Sequence, residues 1–364
     1  MNKKSEIQSQ CLDAIGNSKH TGVVLGTGTG KTLLGLKHMI KKYSDSSLFL
    51  VVAPKISIHQ EWINQAIEHN LEYLLQHIKF VTYLSLTKQD YKFDYVYLDE
   101  CHNLKQKHGN WLRLYDGPVL GLTGTYPIYP LSESYIVCTE FCPVVYKYEI
   151  NNGIADNILN DYIIYVHVLK LNTQNQIKTK KGSMMSEQNN YKMWTKFIDQ
   201  APAHKVMMTR LMRMKALQGY QTKIDYAKKL LSMQTDKTLV FTDYTSQADE
   251  ICEHSYHTKE KNSKINLEMF KSGEINQLSS VLQIAEGANI PNLKVGIIMH
   301  SYANEKKLPQ KIGRFLRLNP NEKSIVHLLC YEDTVDMEWC KRALRSFDHT
   351  KIYKYNGTVN TTQR

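Results

Sequence analysis

The sequence predicts an α/β protein of two tandem domains, each a mostly parallel sheet flanked by helices. Three observations carry that expectation. Short continuous apolar runs of strand length alternate with amphipathic stretches of helix length, and strands without a polar side belong in a parallel sheet covered on both faces. The alternation runs through the first third of the chain, loses regularity, and restarts in the second half. Finally, 364 residues is long for one domain and sufficient for two, each with its own core.

The elements follow in order. Residues 22–25 read as a strand, followed by a glycine-rich turn and a helix over about residues 31–42. Residues 48–52 form a second apolar strand and residues 58–68 a helix. Further strands are expected at 79–81, 95–98 and 118–122. In the second half, residues 239–241, 280–283, 295–299 and 325–329 are strands of the buried type. Residues 162–171, apolar and β-branched, open the second domain. Residues 172–190 are polar, carry Lys178, Lys180 and Lys181, and read as a solvent loop. Residues 191–233 are helical, and the run Met207, Met208, Leu211, Met212 and Met214 reads as core or helix packing rather than a cofactor box. The break between domains is expected near residues 145–150, giving domains of residues 1–147 and 148–364.

Composition narrows the function. Hydrophobic content of 42% and charged content of 22% are ordinary for a soluble globular protein. A net charge of +11 leans toward a polyanionic partner, although a basic but inert surface gives the same number. The seven cysteines are scattered and include no Cys-x-x-Cys pair, which favours neither a zinc ribbon nor a disulfide framework. Reduced thiols in the cytoplasm are expected. No apolar signal core follows the first residues, and no apolar run approaches membrane-spanning length. A soluble protein without a membrane partner is the expectation.

One stretch carries phosphate chemistry. Gly26-Thr27-Gly28-Thr29-Gly30-Lys31-Thr32 lies between an expected strand and an expected helix. Glycines there let backbone N–H groups face phosphate oxygens without an intervening Cβ, and the helix N-terminus adds partial positive charge. Gly28, Thr29 and Gly30 would cradle the phosphates, Lys31 would reach the β- and γ-phosphates, and the Thr32 hydroxyl suits Mg²⁺. Leu25 stands where this loop usually begins with Gly. Alone, the loop implies a nucleoside triphosphate and nothing more.

Asp99-Glu100-Cys101-His102 follows the apolar run of residues 95–98. A carboxylate at the end of a buried strand beside the loop suits a metal-holding role for Asp99. Glu100 would then polarise the attacking water. Asp-Glu after a strand is common, and only the upstream loop raises this pair above a solvated strand end.

Together these motifs resemble helicase superfamily 2, and others arrive in that family's order. Residues 51–55 through Gln60-Glu61-Trp62 resemble motif Ia, and Val81-Thr82-Tyr83 sits at motif Ib. Leu122-Thr123-Gly124-Thr125 resembles motif III and residues 239–243 motif IV. Residues 286–291 resemble motif V. Gln310, Gly313, Arg314 and Arg317 match the Gln-x-x-Gly-Arg-x-x-Arg of motif VI. Within the superfamily the chain is similar to small phage DNA helicases of the UvsW type and to Swi/Snf-related translocases.

The resemblance implies two RecA-like domains with an ATP cleft between them, and ATP with Mg²⁺ as the nucleotide and metal. It assigns Arg314 and Arg317 as arginine fingers for the γ-phosphate, and Gln310 as a nucleotide sensor. Gly287 and Asn289 would line the nucleotide site, and Thr123 and Thr125 would link nucleotide to track. Gln8 takes the place of an adenine-reading glutamine, with Gln10 or a plain helix surface as alternatives. Lys55, Thr82 and Thr242 match positions that contact the sugar–phosphate backbone in relatives. The expected partner is DNA, single-stranded, duplex or branched, in preference to RNA, for a protein working as a monomer in the cytoplasm, or the host cytoplasm if viral. The expected output is unwinding, annealing or branch migration. Alternatives are duplex translocation without strand separation, and an ATP-gated nucleic-acid-binding module of a larger complex.

Overall fold

The computed structural model describes residues 3–26, 28–156, 159–174, 177–178, 182–281, 290–302, 312, 323–345 and 347–357. Two compact units emerge, Met1–Asn160 and Asp161–Arg364. Both are α/β with parallel sheets, as the alternation of apolar runs predicts.

In the first unit the strands are β1 (His20–Leu25), β2 (Phe49–Ala53), β3 (Ile78–Thr82), β4 (Tyr95–Asp99), β5 (Val119–Thr123) and β6 (Val144–Tyr148). Among the described residues they form one six-stranded sheet in the order β3-β2-β4-β5-β1-β6, every pair parallel. Continuous apolar sequence is needed because both faces are covered. Phe49 and Val51 pack on one side with Leu25, Trp62 and Tyr97, while Leu50 and Val52 pack on the other with Leu98, Trp111 and Phe141. Each such side chain stabilises the fold by about 1.5–3 kcal/mol when fully buried.

Helices α1 (Lys3–Ile15), α2 (Lys31–Lys42), α3 (Ile56–Glu68), α4 (Gln106–Tyr115), α5 (Glu133–Phe141) and α6 (Ile150–Ala155) complete the described part of this unit. Helix α2 buries Leu34, Leu36 and Met39 and ends in Lys41 and Lys42, cations that complement the negative helix terminus. The domain break differs from the expected residue 147. Residues 144–148 pair with β1 as a largely exposed edge, and the first unit extends to Asn160.

The second unit opens, as expected, on β7 (Asp161–Leu169). It continues with the short antiparallel pair β8 (Ile177–Lys178) and β9 (Met184–Met185), inside the stretch read as a loop. Helices α7 (Glu187–Gln200), α8 (Ala203–Gly219) and α9 (Gln221–Ser232) fill the span expected to be helical. Then follow β10 (Thr238–Thr242), α10 (Thr245–Ile251), β11 (Ser255–Tyr256), α11 (Ser263–Ser272), β12 (Gln277–Val281), β13 (Val295–Ile298), β14 (Lys323–Tyr331), α12 (Val335–Ala343) and β15 (Ile352–Asn356). The sheet order is β11-β12-β10-β13-β14-β7-β15.

The expected core or helix packing holds only in part along α8, where Met212 and Met214 are half-buried. Met207 and Met208 do not pack into a core: they are 76% and 55% exposed, and Leu211 is exposed too. Helix α8 is apolar on more sides than α7 can cover. A deep ion pair lies in the same unit. Lys223 Nζ reaches the carboxylate of Asp336 and donates to the Met299 carbonyl at 2.8 Å, with both side chains almost fully buried.

Candidate active site

The strand order of the first unit sets the site. β5 lies between β1 and β4, with Val24 paired to Thr123 and Asp99 to Leu122. Three functional strand ends therefore stand side by side at the carboxyl edge, where parallel sheets place their ligands. With strands about 4.8 Å apart, the loop after β1 and the carboxylates after β4 are within reach of a lysine side chain.

The loop is shaped by glycines. Gly28 and Gly30 adopt φ of 89° and 87°, a left-handed region that side-chain-bearing residues enter at a cost. Thr29 folds back on the turn, its hydroxyl donating to the Gly26 carbonyl at 2.7 Å. Gly30 is the N-cap of α2 and supplies no side-chain cap bond, so the helix start is left for an anion. A Cβ on Gly30 would lie 2.5 Å from Gln8 Nε2. Gln8 is buried; it donates to the Gly30 carbonyl at 3.3 Å and accepts from Lys37 Nζ at 2.7 Å. Its side chain thus braces the phosphate loop.

Across the strand ends, Lys31 Nζ lies 3.3 Å from Glu100 Oε1. Glu100 Oε2 accepts from the Thr123 hydroxyl at 3.2 Å and stands 3.3 Å from His102 Nδ1, while His102 Nδ1 and the Thr123 hydroxyl are 2.8 Å apart. Thr123 also receives the Thr125 amide at 3.1 Å. Asp99 is buried, its Oδ2 held by Trp62 Nε1 at 2.8 Å and its Oδ1 by the Glu100 amide at 2.9 Å.

The two carboxylates are driven apart electrostatically. Burial and the adjacent charge of Glu100 push the Asp99 carboxyl up to about 7, against the pull of Lys31 and the Trp62 indole. Burial works in the same direction on Glu100, but Lys31 and His102 outweigh it and hold that carboxyl below the usual range. Glu100 is therefore ionised at neutral pH. The Thr32 hydroxyl and Asp99 supply hard oxygen donors, few in number, which fits Mg²⁺, an ion that keeps several waters. The loop and the ion-paired lysine fit a triphosphate.

The sequence-derived site residues divide clearly. Gln8, Gly28, Thr29, Gly30, Lys31 and Thr32 come together along the loop, and Asp99 and Glu100 join them through Lys31. Lys55 is exposed at the N-cap of α3. Thr82 ends β3, its hydroxyl 3.3 Å from that of Ser85. Thr242 is a correction: it is fully buried, and its hydroxyl donates to the carbonyls of Tyr244 and Ser280, so it presents no surface to a backbone phosphate. Gly287, Asn289, Gln310, Arg314 and Arg317 lie outside the described residues. Sequence reasoning missed what His102, Trp62 and Lys37 do. Trp62 and His102 stood within quoted motifs, but their bonds to Asp99 and Thr123 depend on strand order.

Residues 3–128 match the family described as type III restriction enzyme, res subunit, and residues 222–319 match the helicase conserved C-terminal domain. The chain is 23% identical to DNA 3'-5' translocase XPB2 of Sulfurisphaera tokodaii, over 93% of this chain and 83% of that one. In fold it resembles the ATP-dependent Type ISP restriction-modification enzyme LlaBIII bound to DNA, with a TM-score of 0.65 at 12% identity, covering all of this chain but 31% of that one. It thus spans about a third of that enzyme's length. It also resembles the Hef helicase domain of Pyrococcus furiosus, with a TM-score of 0.51 at 14% identity, over 94% of this chain and 98% of that one. With a phosphate loop, an Asp-Glu pair and both helicase halves matched in order, the chain belongs to helicase superfamily 2 and is an ATP hydrolase.

Proposed function

We propose that the protein couples ATP hydrolysis to movement along DNA. The contact that carries this reading is Lys31 to Glu100 at 3.3 Å, which joins the phosphate loop to a carboxylate kept ionised and able to orient water. Glu100 is the base that positions the attacking water, and Lys31 holds the β- and γ-phosphate oxygens. Thr32 and Asp99 would hold Mg²⁺, which when bound neutralises charge on the phosphate oxygens. Arg314 and Arg317 are assigned to charge on the γ-phosphate; such planar cations are worth about 10³–10⁵ in rate in other NTPases. Gln310, Gly287 and Asn289 are assigned to nucleotide sensing. Lys55 and Thr82 are assigned to the backbone of the track, where contacts carry no sequence information.

DNA is favoured as track because the curated relative is a DNA translocase matched over most of both chains. The Thr123 hydroxyl, bonded to Glu100 and to the Thr125 backbone, gives the first unit a physical link between the water-positioning carboxylate and the loop after β5. The test is ATP turnover measured with single-stranded DNA, duplex, forked DNA and RNA, together with triplex displacement. Stimulation by DNA with triplex displacement is expected, and strand displacement on forks would add unwinding to translocation. A turnover that no nucleic acid raises would refute the motor.

A further inference from the structure

The helical hairpin of α7 and α8 is built like an arm. Its root is fixed by buried polar contacts. Glu187, almost fully buried, accepts from the Thr222 amide and hydroxyl at 3.0 and 2.8 Å and from the Asn172 amide at 3.0 Å. Tyr220 donates to Asn190 Oδ1 at 2.9 Å. At the C-terminal end of α8, also at the root, Gln218 bonds the carboxylate of Asp243 beyond the end of β10. Along the shaft Arg213 lies over the Tyr191 ring and donates to Thr195 at 3.2 Å. Networks of this kind fix orientation.

What the arm presents is unusual for a solvated surface. Phe197, Met207, Met208 and Leu211 are exposed, Met207 to 76%. The same two helices expose Lys192, Lys196, Lys205, Arg210 and Lys215 against the single exposed acid Asp199. Among the described residues none of the five cations has an acidic partner. Apolar side chains set among unneutralised cations match a polyanion that also offers apolar faces. Nucleic acid does so where its bases are accessible: lysines and arginine take phosphates, while Phe, Met and Leu wedge against base steps. The 17 residues of α8 span about 25 Å, some seven phosphate spacings along a strand.

We propose that the α7–α8 arm is a second nucleic-acid contact surface, gripping DNA at a junction between duplex and single strand. This rests on the reading of the protein as a DNA motor. The test uses the full chain with two variants. One carries Lys192→Gln, Lys196→Gln, Lys205→Gln and Arg210→Gln; the other carries Met207→Ser and Met208→Ser. Binding to forked DNA and to blunt duplex is measured across a salt series, with ATP turnover in the absence of DNA as the control for folding.

For the charge variant the expected result is at least tenfold weaker fork binding at low salt. Its slope of log affinity against log salt should be shallower by up to about 3.6, at 0.9 per lost phosphate contact. The methionine variant should lose several-fold affinity for forks, less for blunt duplex, with the slope unchanged. Unchanged fork affinity and slope in both variants, with the parent chain still binding DNA, overturn the arm and leave the motor standing. A parent chain that binds no DNA overturns both. Loss of self-association in the methionine variant, with DNA binding intact, would assign the surface to a protein partner and overturn the proposal.

Discussion

Replacing Glu100 with Gln isolates the chemical step from nucleotide binding. The amide keeps the size of the side chain and can still meet the Thr123 hydroxyl, which now donates to Glu100 Oε2 at 3.2 Å. What disappears is the negative charge 3.3 Å from Lys31 Nζ and the basicity needed to polarise water. Loss of a positioned general base costs typically 10²–10⁴ in rate, or about 3–5.5 kcal/mol of barrier. Binding should be preserved, because the loop backbone, Lys31 and Thr32 are untouched. Lys31, released from its ion pair, is free to meet phosphate, so affinity should stay equal or tighten slightly. The assay pairs equilibrium titration with a fluorescent ATP analogue against steady-state turnover on saturating DNA. Turnover within tenfold of the parent, with normal binding, would remove Glu100 from the chemistry.

Trp62→Phe deletes the indole N–H that donates to Asp99 at 2.8 Å; leaving that buried carboxyl oxygen without its donor costs about 1–3 kcal/mol, read as a lower melting temperature together with a higher Mg²⁺ requirement for turnover. Lys223→Met strands the buried carboxylate of Asp336 and should destabilise the chain by about 3–5 kcal/mol, with much of that recovered on adding Asp336→Leu; denaturant titration of both variants measures it. His167 and His327 sit 2.9 Å apart, buried. Burial lowers His167 to about 4, and burial with the neighbouring His167 lowers His327 to about 3. Between about pH 6.5 and 4 the unfolded chain binds the extra protons, so stability should fall as pH falls, by roughly 3 kcal/mol for His167 alone. His167→Gln should flatten that part of the pH–stability curve, and an unchanged curve would show that these histidines do not contribute.

Much of this architecture was legible because burial on both faces leaves little choice of residue. β2 and β4 read as strands from runs such as Phe49-Leu50-Val51-Val52, and the glycine loop announced itself through backbone positions that a Cβ disfavours. The edges were harder. β6 and β15 are mostly exposed although β6 carries Val144 and Val145, so apolar sequence did not mark them as sheet edges, and the domain break moved accordingly. The methionines of α8 misled for the opposite reason: apolar composition marks a surface that prefers cover without saying that the cover lies within the same chain. Thr242 erred through depth. A strand end that is polar in sequence can still be fully buried, and here the hydroxyl serves neighbouring carbonyls. The roles assigned to Gly287, Asn289, Gln310, Arg314 and Arg317 rest on motif spacing and resemblance alone, since those residues lie outside the described ones.

The geometry at Glu100 shows why strand order matters more than motif identity. Its backbone sits at φ 49°, a left-handed conformation that costs a non-glycine residue of order 1–2 kcal/mol. Continuing β4 in extended form would carry the side chain onward along the strand. The left-handed turn brings Glu100 beside Lys31 and Thr123, while its amide caps Asp99. The strain is held by buried neighbours: Tyr83 donates to the Asp99 carbonyl at 3.0 Å, and Asn103 to that of Glu100 at 2.9 Å. Exchanging Glu100 for Gly would therefore relax the backbone while removing the carboxylate. Two adjacent acids are thereby given opposite tasks, one buried among donors and one turned toward the phosphate loop. A sheet with β4 directly beside β1 would lose the threonine that now bonds the second of them.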